Sequence, residues 1–158
     1  MLSYRLRLLP ALLIVAAVTC SFSNVALLDA AAQADKKDAA KPVESDMHEF
    51  MEYVFEPTFK RLKPAMAAAP ADNKGWKAIK ADSLILAEAG NLLLIRQPEK
   101  DAADWVKHSA QVRETGGQLY EAAKGKDYAA ARKHYEAMIQ NCNACHKQFA
   151  NGEYTLSP

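Results

Sequence analysis

Residues 127–149 read DYAAARKHYEAMIQNCNACHKQF and have the pattern of one long amphipathic helix. Asp127 stands where its carboxylate can cap the first free backbone N–H groups, and Asn151-Gly152 follows as a stop signal. Between them, apolar side chains recur at intervals of three and four, which places them on one helix face. The positions on this face are Ala131, Tyr135, Met138, Ile139, Cys142, Cys145, His146 and Phe149.

Three residues near the end of this predicted helix form the motif Cys-x-x-Cys-His. Cys142 and Cys145 lie three positions apart and His146 lies four positions after Cys142, so a helix projects all three toward one side. This motif is the attachment signature of a c-type haem, in which two thiols bond the porphyrin vinyl groups and the imidazole ligates the iron. The motif therefore predicts one covalently attached haem c.

Two other chemistries can use closely spaced cysteines. A structural zinc site needs four nitrogen or sulfur ligands, and this stretch offers three on one turn with no second cysteine pair elsewhere. A thioredoxin-like redox pair accompanies a βαβ pattern, which this sequence lacks. Haem attachment is the favoured interpretation, and a redox pair or a metal site is the alternative.

The N-terminus has the features of an export signal. Arg5 and Arg7 form a basic region, residues 8–18 are apolar, and Ala32-Gln33-Ala34 matches a small-residue cleavage site. The apolar run is short for a transmembrane helix. Residues 1–34 are therefore predicted to be a signal peptide that directs the protein to the periplasm, with lipidation of Cys20 as the competing interpretation.

The predicted mature chain is one small domain. Removing the first 34 of 158 residues leaves 124, with 18 basic and 18 acidic residues and no cysteine outside the motif. Its length suits a single domain, and no basic patch with interleaved aromatic residues points to nucleic acid. We expect a flexible arm at 35–44, the folded domain at 45–152 and a tail at 153–158.

Three further helices precede the motif helix. The first begins at Asp46, where Glu49 completes a capping-box pattern, and Pro57 predicts a kink or a break within it. The second runs from Asn73 or Lys74 to about Arg96, and the third from about Asp101 to Gly125. Gly116-Gly117 in the third helix indicates either a break or a close approach of backbones. No segment alternates with period two, so the expected fold is all-α, an antiparallel four-helix bundle with the haem motif on the C-terminal helix.

A single Cys-x-x-Cys-His on the last of four helices, behind an export signal, resembles the class II c-type cytochromes, the cytochrome c′ family and its low-spin relatives. Class I cytochromes carry the motif near the start of the chain instead. The resemblance implies that Cys142 and Cys145 form the thioethers and that His146 is the proximal ligand. It also implies a periplasmic mono-haem protein, not an enzyme, which exchanges single electrons with redox partner proteins and can form a homodimer.

The sixth iron ligand distinguishes two functions within that family. Members with a methionine ligand are electron carriers, whereas members with an open site bind a small gas such as NO. The first helix offers Met47, His48 and Met51 within about one turn. Met51 is the preferred ligand because it continues the apolar stripe of the helix, and the alternatives are Met47, His48 or no ligand from the chain.

Overall fold

The computed structural model describes residues 40–158, and the regular structure of that part is entirely helical. Four helices pack against one another, which confirms the all-α prediction: α1 covers 47–65, α2 Asn73–Leu94, α3 Ala102–Lys124 and α4 Tyr128–Phe149. Within residues 40–158 no helix combines the length and the hydropathy needed to cross a membrane. The predicted signal peptide, Cys20 and the first half of the predicted arm lie outside the described residues.

Three of the four helices begin at an aspartate whose side chain accepts a hydrogen bond from the backbone three residues later. The distances are 3.0 Å from Glu49 N to Asp46, 2.8 Å from Gly75 N to Asp72 and 3.0 Å from Ala130 N to Asp127. The second half of the expected capping box is absent, because the Asp46 N–H donates to Glu44 at 2.7 Å instead of to Glu49. Local sequence thus fixes three of the four helix starts, as predicted for Asp46 and Asp127.

Helix α1 continues through Pro57 with one widened stretch. It consists of the α-helical turn Met47–Phe50, the π-helical segment Met51–Phe55 and the α-helix Glu56–Ala65. Pro57 has no N–H to donate, and the preceding Glu56 N–H donates to the Met51 carbonyl, five residues back. Proline therefore widens the helix here and does not break it.

Helices α2 and α3 approach closely at two glycines. A Cβ atom on Gly90 would lie 2.8 Å from the Arg113 backbone nitrogen, and one on Gly116 would lie 3.1 Å from the Ala87 backbone. Helix α3 runs without interruption through both of its glycines. Gly116 therefore permits a close approach of backbones and does not break the helix.

The helices pack in chain order, α1 on α2, α2 on α3 and α3 on α4. Among the described residues, the backbone of α1 is not close to that of α4. We call the space between α1 and α4 the seam. At the C-terminal end of α1, side chains close this seam, because Tyr128 Oη and Arg132 both donate to the Met66 carbonyl at 2.8 and 3.0 Å. The seam between α1 and α4 is thus closed at one end and wide at the other.

Two apolar clusters form the core. The larger one contains Leu62, Met66, Trp76, Ile79, Leu86, Leu119, Ala123, Ala131, Tyr135, Met138 and Ile139. The smaller one contains Phe50, Ala89, Leu93, Trp105 and Cys145. Both tryptophans, Trp76 and Trp105, are buried.

Candidate functional site

A cavity of about 690 Å³ opens at the wide end of the seam between α1 and α4. Its volume falls in the usual range for small-molecule and cofactor pockets, about 300–1,000 Å³. All four helices and the segment after α4 contribute to its walls, and most of the lining is apolar. The apolar lining residues include Phe55, Phe59, Leu86, Leu93, Trp105, Val112, Met138, Ile139 and Phe149.

The three residues of the Cys-x-x-Cys-His motif all line this cavity from α4. Cys145 is buried in the smaller apolar cluster, and Cys142 packs against the larger one. His146 is half-buried between the cavity and the segment that follows the helix. The helix spacing thus brings the predicted attachment residues to one wall, as expected from the sequence.

Both thiols are free and lie in a medium that disfavours charge. Burial, together with the nearby Cys145, raises the pKa of the Cys142 thiol to about 12. Burial also raises the pKa of the Cys145 thiol to about 11. Reactive cysteines and metal-bound cysteines are thiolates. A pair whose pKa values are raised in this way does not suit the redox-pair alternative.

One hydrogen bond fixes the tautomer of the neutral His146 ring. Its Nδ1 lies 2.6 Å from the backbone carbonyl oxygen of Tyr154. A carbonyl oxygen can only accept, so the imidazole Nδ1–H donates, and in the neutral ring Nε2 carries the free lone pair. Metal-binding histidines commonly have this arrangement, in which one nitrogen donates to a carbonyl and the other ligates the metal.

The three candidate sixth ligands lie on α1 and also line the cavity. Met47 and Met51 are half-buried against the smaller apolar cluster. His48 is largely exposed, with 66% of its side chain accessible, and its Nε2 lies 3.6 Å from Glu52. The structure therefore turns the two methionines inward and leaves His48 at the rim.

Carboxylates mark the polar part of the cavity wall. Glu52 and Glu56 line it from α1 and Glu153 from the segment after α4. Glu56 forms an ion pair with Lys60, one turn further along the helix. An apolar interior with a charged rim suits a ligand that is mainly apolar and reaches solvent at one edge.

The sequence predicted residues 153–156 to be part of a tail, but they contribute to the cavity wall. All four line the cavity. The Asn-Gly signal after α4 predicted that the helix ends there, and both residues have left-handed φ angles, 51° for Asn151 and 76° for Gly152. No sequence signal, however, showed that the chain returns to His146.

Among residues 40–158, no group of three or more histidine, cysteine, aspartate or glutamate side chains is placed to hold a metal ion. A haem needs only axial ligands from the protein, because the porphyrin supplies the other four.

No protein-family model, curated protein or solved structure matches this chain.

Proposed function

We propose that the chain is a periplasmic mono-haem c-type cytochrome that carries single electrons. The observation that carries the proposal is the joint position of Cys142, Cys145 and His146 on one wall of a largely apolar cavity. The bond from His146 Nδ1 to Tyr154 supports it, because this bond leaves Nε2 as the ligand nitrogen. The export signal predicted at residues 1–34 supports the periplasmic location.

We further propose an antiparallel four-helix bundle as the scaffold of the site. Between α2 and α3, Gly90 lies against Arg113 and Ala87 against Gly116, so residue numbers fall along one helix as they rise along the other. Between α3 and α4, His108 Nε2 lies 3.0 Å from Gln148, whereas Asn141 donates to the Gln111 carbonyl at 3.4 Å. Both registers support antiparallel neighbours, and bundles of this type hold cofactors between facing helices.

The residues around the cavity suit a flat, mainly apolar group. When bound, a haem supplies an iron centre that accepts and releases one electron. Cys142 and Cys145 would anchor it to α4, and His146 would donate its Nε2 lone pair. The surrounding side chains of Leu93, Trp105 and other apolar residues exclude water, which favours a fixed coordination. The missing backbone contact between α1 and α4 leaves room for the group in the seam.

Met51 is the proposed sixth ligand, which makes the protein an electron carrier. It is half-buried in the cavity wall, whereas His48 faces Glu52 at the rim. Met51 also begins the π-helical segment, and such segments are frequent at functional sites. With His146 and Met51 both supplied by the chain, the iron of a bound haem would keep the same ligands while it gains or loses an electron, which suits electron transfer. If the iron were open instead, binding of a diatomic gas such as NO would be the function.

The decisive experiment is to express the chain in a bacterial host that has haem-maturation machinery and to test whether haem becomes covalently attached. The denatured protein should retain its colour and carry the mass of one haem, and acidic acetone should not extract it. The double variant Cys142→Ala with Cys145→Ala should lose the attached mass, whereas Asn141→Ala, immediately before the motif, should keep it. Full extraction of haem from the unmodified chain would contradict the proposal.

A further inference from the structure

The chain reverses direction directly after α4. The N–H groups of Ala150 and Gly152 both donate to the His146 carbonyl, at 2.9 and 3.0 Å. The left-handed conformations of Asn151 and Gly152 make this turn possible. The residues that follow therefore run back along the side of α4 that carries the motif.

Asn143, the first variable residue inside Cys-x-x-Cys-His, holds the returning chain. Its Nδ2 donates to the Leu156 carbonyl at 2.9 Å, and its Oδ1 accepts from the Leu156 N–H at 2.8 Å. The side-chain amide thus satisfies both backbone groups of one residue, as a neighbouring strand would. Leu156 also packs against the larger apolar cluster. A third contact joins Lys63 on α1 to Ser157 at 2.7 Å.

These contacts determine the surroundings of His146. They place the Tyr154 carbonyl 2.6 Å from His146 Nδ1, and the Tyr154 ring lies edge-on to the imidazole with centroids 6.2 Å apart. Nothing else among the described hydrogen bonds holds the imidazole. Its orientation and its tautomer therefore depend on a segment eight residues further along the chain.

We propose that residues 153–157, here called the C-terminal strap, and Asn143 are positioning residues for His146. They keep the proton on Nδ1 and the ring oriented, so that Nε2 is the nitrogen presented to a ligand. The consequence for iron ligation rests on the proposed function, but the strap and the tautomer do not. Asn143 suits this role because an amide both donates and accepts, whereas aspartate only accepts and alanine does neither.

Amide hydrogen exchange in the full-length purified chain tests the strap directly. Asn143→Ala removes both bonds to Leu156, and the Leu156 N–H should then exchange about tenfold faster or more, as expected for two lost hydrogen bonds. Asn141→Ala is the matched control, because Asn141 bonds to α3 and not to the strap. Equal exchange in the two variants would overturn the proposal, whether or not haem is attached.

Nitrogen-15 NMR of the His146 ring in the haem-loaded ferrous protein tests the positioning role. The Nδ1–H should exchange slowly in the unmodified chain and in Asn141→Ala, and faster in Asn143→Ala and in a chain that lacks residues 154–158. The reduction potential is a poorer readout, because loss of the Nδ1 bond and entry of water shift it in opposite directions. If haem is covalently attached but the Nδ1–H exchanges at the same rate in all these proteins, the positioning role is refuted and the proposed function stays intact. Absence of attached haem would refute the function, and Leu156 exchange would still decide the strap.

Discussion

Replacing Gly90 and Gly117 by alanine, one at a time, should have opposite effects on stability. Both residues lie inside long helices, where alanine is favoured over glycine by about 1 kcal/mol. At Gly117 no atom lies within 4 Å of the new Cβ, so this gain should appear nearly in full. The free energy of unfolding of Gly117→Ala should therefore rise by about 0.5–1 kcal/mol.

At Gly90 the new Cβ would lie 2.8 Å from the Arg113 nitrogen and 3.0 Å from its Cα. These are backbone atoms of α3, so relief requires the two helices to move apart. Overpacking of this kind typically costs about 1–3 kcal/mol, which outweighs the helix-propensity gain. The net change is this cost minus the gain of about 1 kcal/mol, so we expect Gly90→Ala to be less stable than the unmodified protein by about 1 kcal/mol, within a range of roughly 0–2 kcal/mol.

Urea unfolding followed by circular dichroism at the helical band measures both changes. The separation between the two variants, about 2 kcal/mol, exceeds the usual uncertainty of the comparison when the slopes are equal. If the chain carries the proposed haem, the haem spectrum of Gly90→Ala should also change, because α2 and α3 carry Leu93 and Trp105 in the cavity wall. Equal stability of the two variants would show that α2 and α3 are not in close contact at Gly90.

Three further outcomes are expected. Met51→Ala should convert a low-spin ferric spectrum to a high-spin one and allow rapid carbon monoxide binding, whereas an unmodified ferrous protein that already binds it rapidly would make Met51 a packing residue. Burial raises the pKa values of Cys142 and Cys145 to about 12 and about 11. The haem-free chain therefore keeps the full stability contribution of its neutral thiols at any pH below 9, the ordinary pKa of a thiol. It should lose that contribution progressively as the pH rises from about 9 to 11–12; urea midpoints across this range measure it, and the same slope in a thioether-linked protein would contradict the assignment. Asp127→Ala should lower the free energy of unfolding by about 1 kcal/mol through loss of the cap on Ala130, and no change in the urea midpoint would show that the cap is not stabilising.

The positions of the helices followed from local signals. Asp46 and Asp127 predicted two helix starts to within one residue, because an N-cap acts on backbone groups only a turn away. Helix periodicity likewise placed Cys142, Cys145 and His146 on one face. Caps and helix periodicity depend on residues that are close together in the chain, so a single sequence is enough to predict them.

The relations between distant segments did not follow from the sequence. Gly116 was compatible with a break or with close packing, and only the position of Ala87 on α2 distinguishes them. Pro57 predicted an irregularity, but its form depends on which carbonyl the Glu56 N–H reaches. The return of Leu156 to Asn143 joins residues 13 positions apart through a side-chain amide, and no periodicity or turn signal encodes such a bond.

The uneven seam between α1 and α4 has a consequence for how a large flat group can enter the folded chain. The C-terminal end of α1 is fixed to α4 through the Met66 carbonyl. Its N-terminal end is held by Arg96, which donates to the Glu44 carbonyl at 3.2 Å and lies over the Phe50 ring. Outward movement of the first turns of α1 would have to release both this arginine and the Phe50 side chain, which is buried in the smaller apolar cluster, while the bond between Arg61 and Asp82 holds the second half of the helix on α2. Entry of a large flat group by this route would need only local opening of one helix end, which is a far smaller rearrangement than global unfolding.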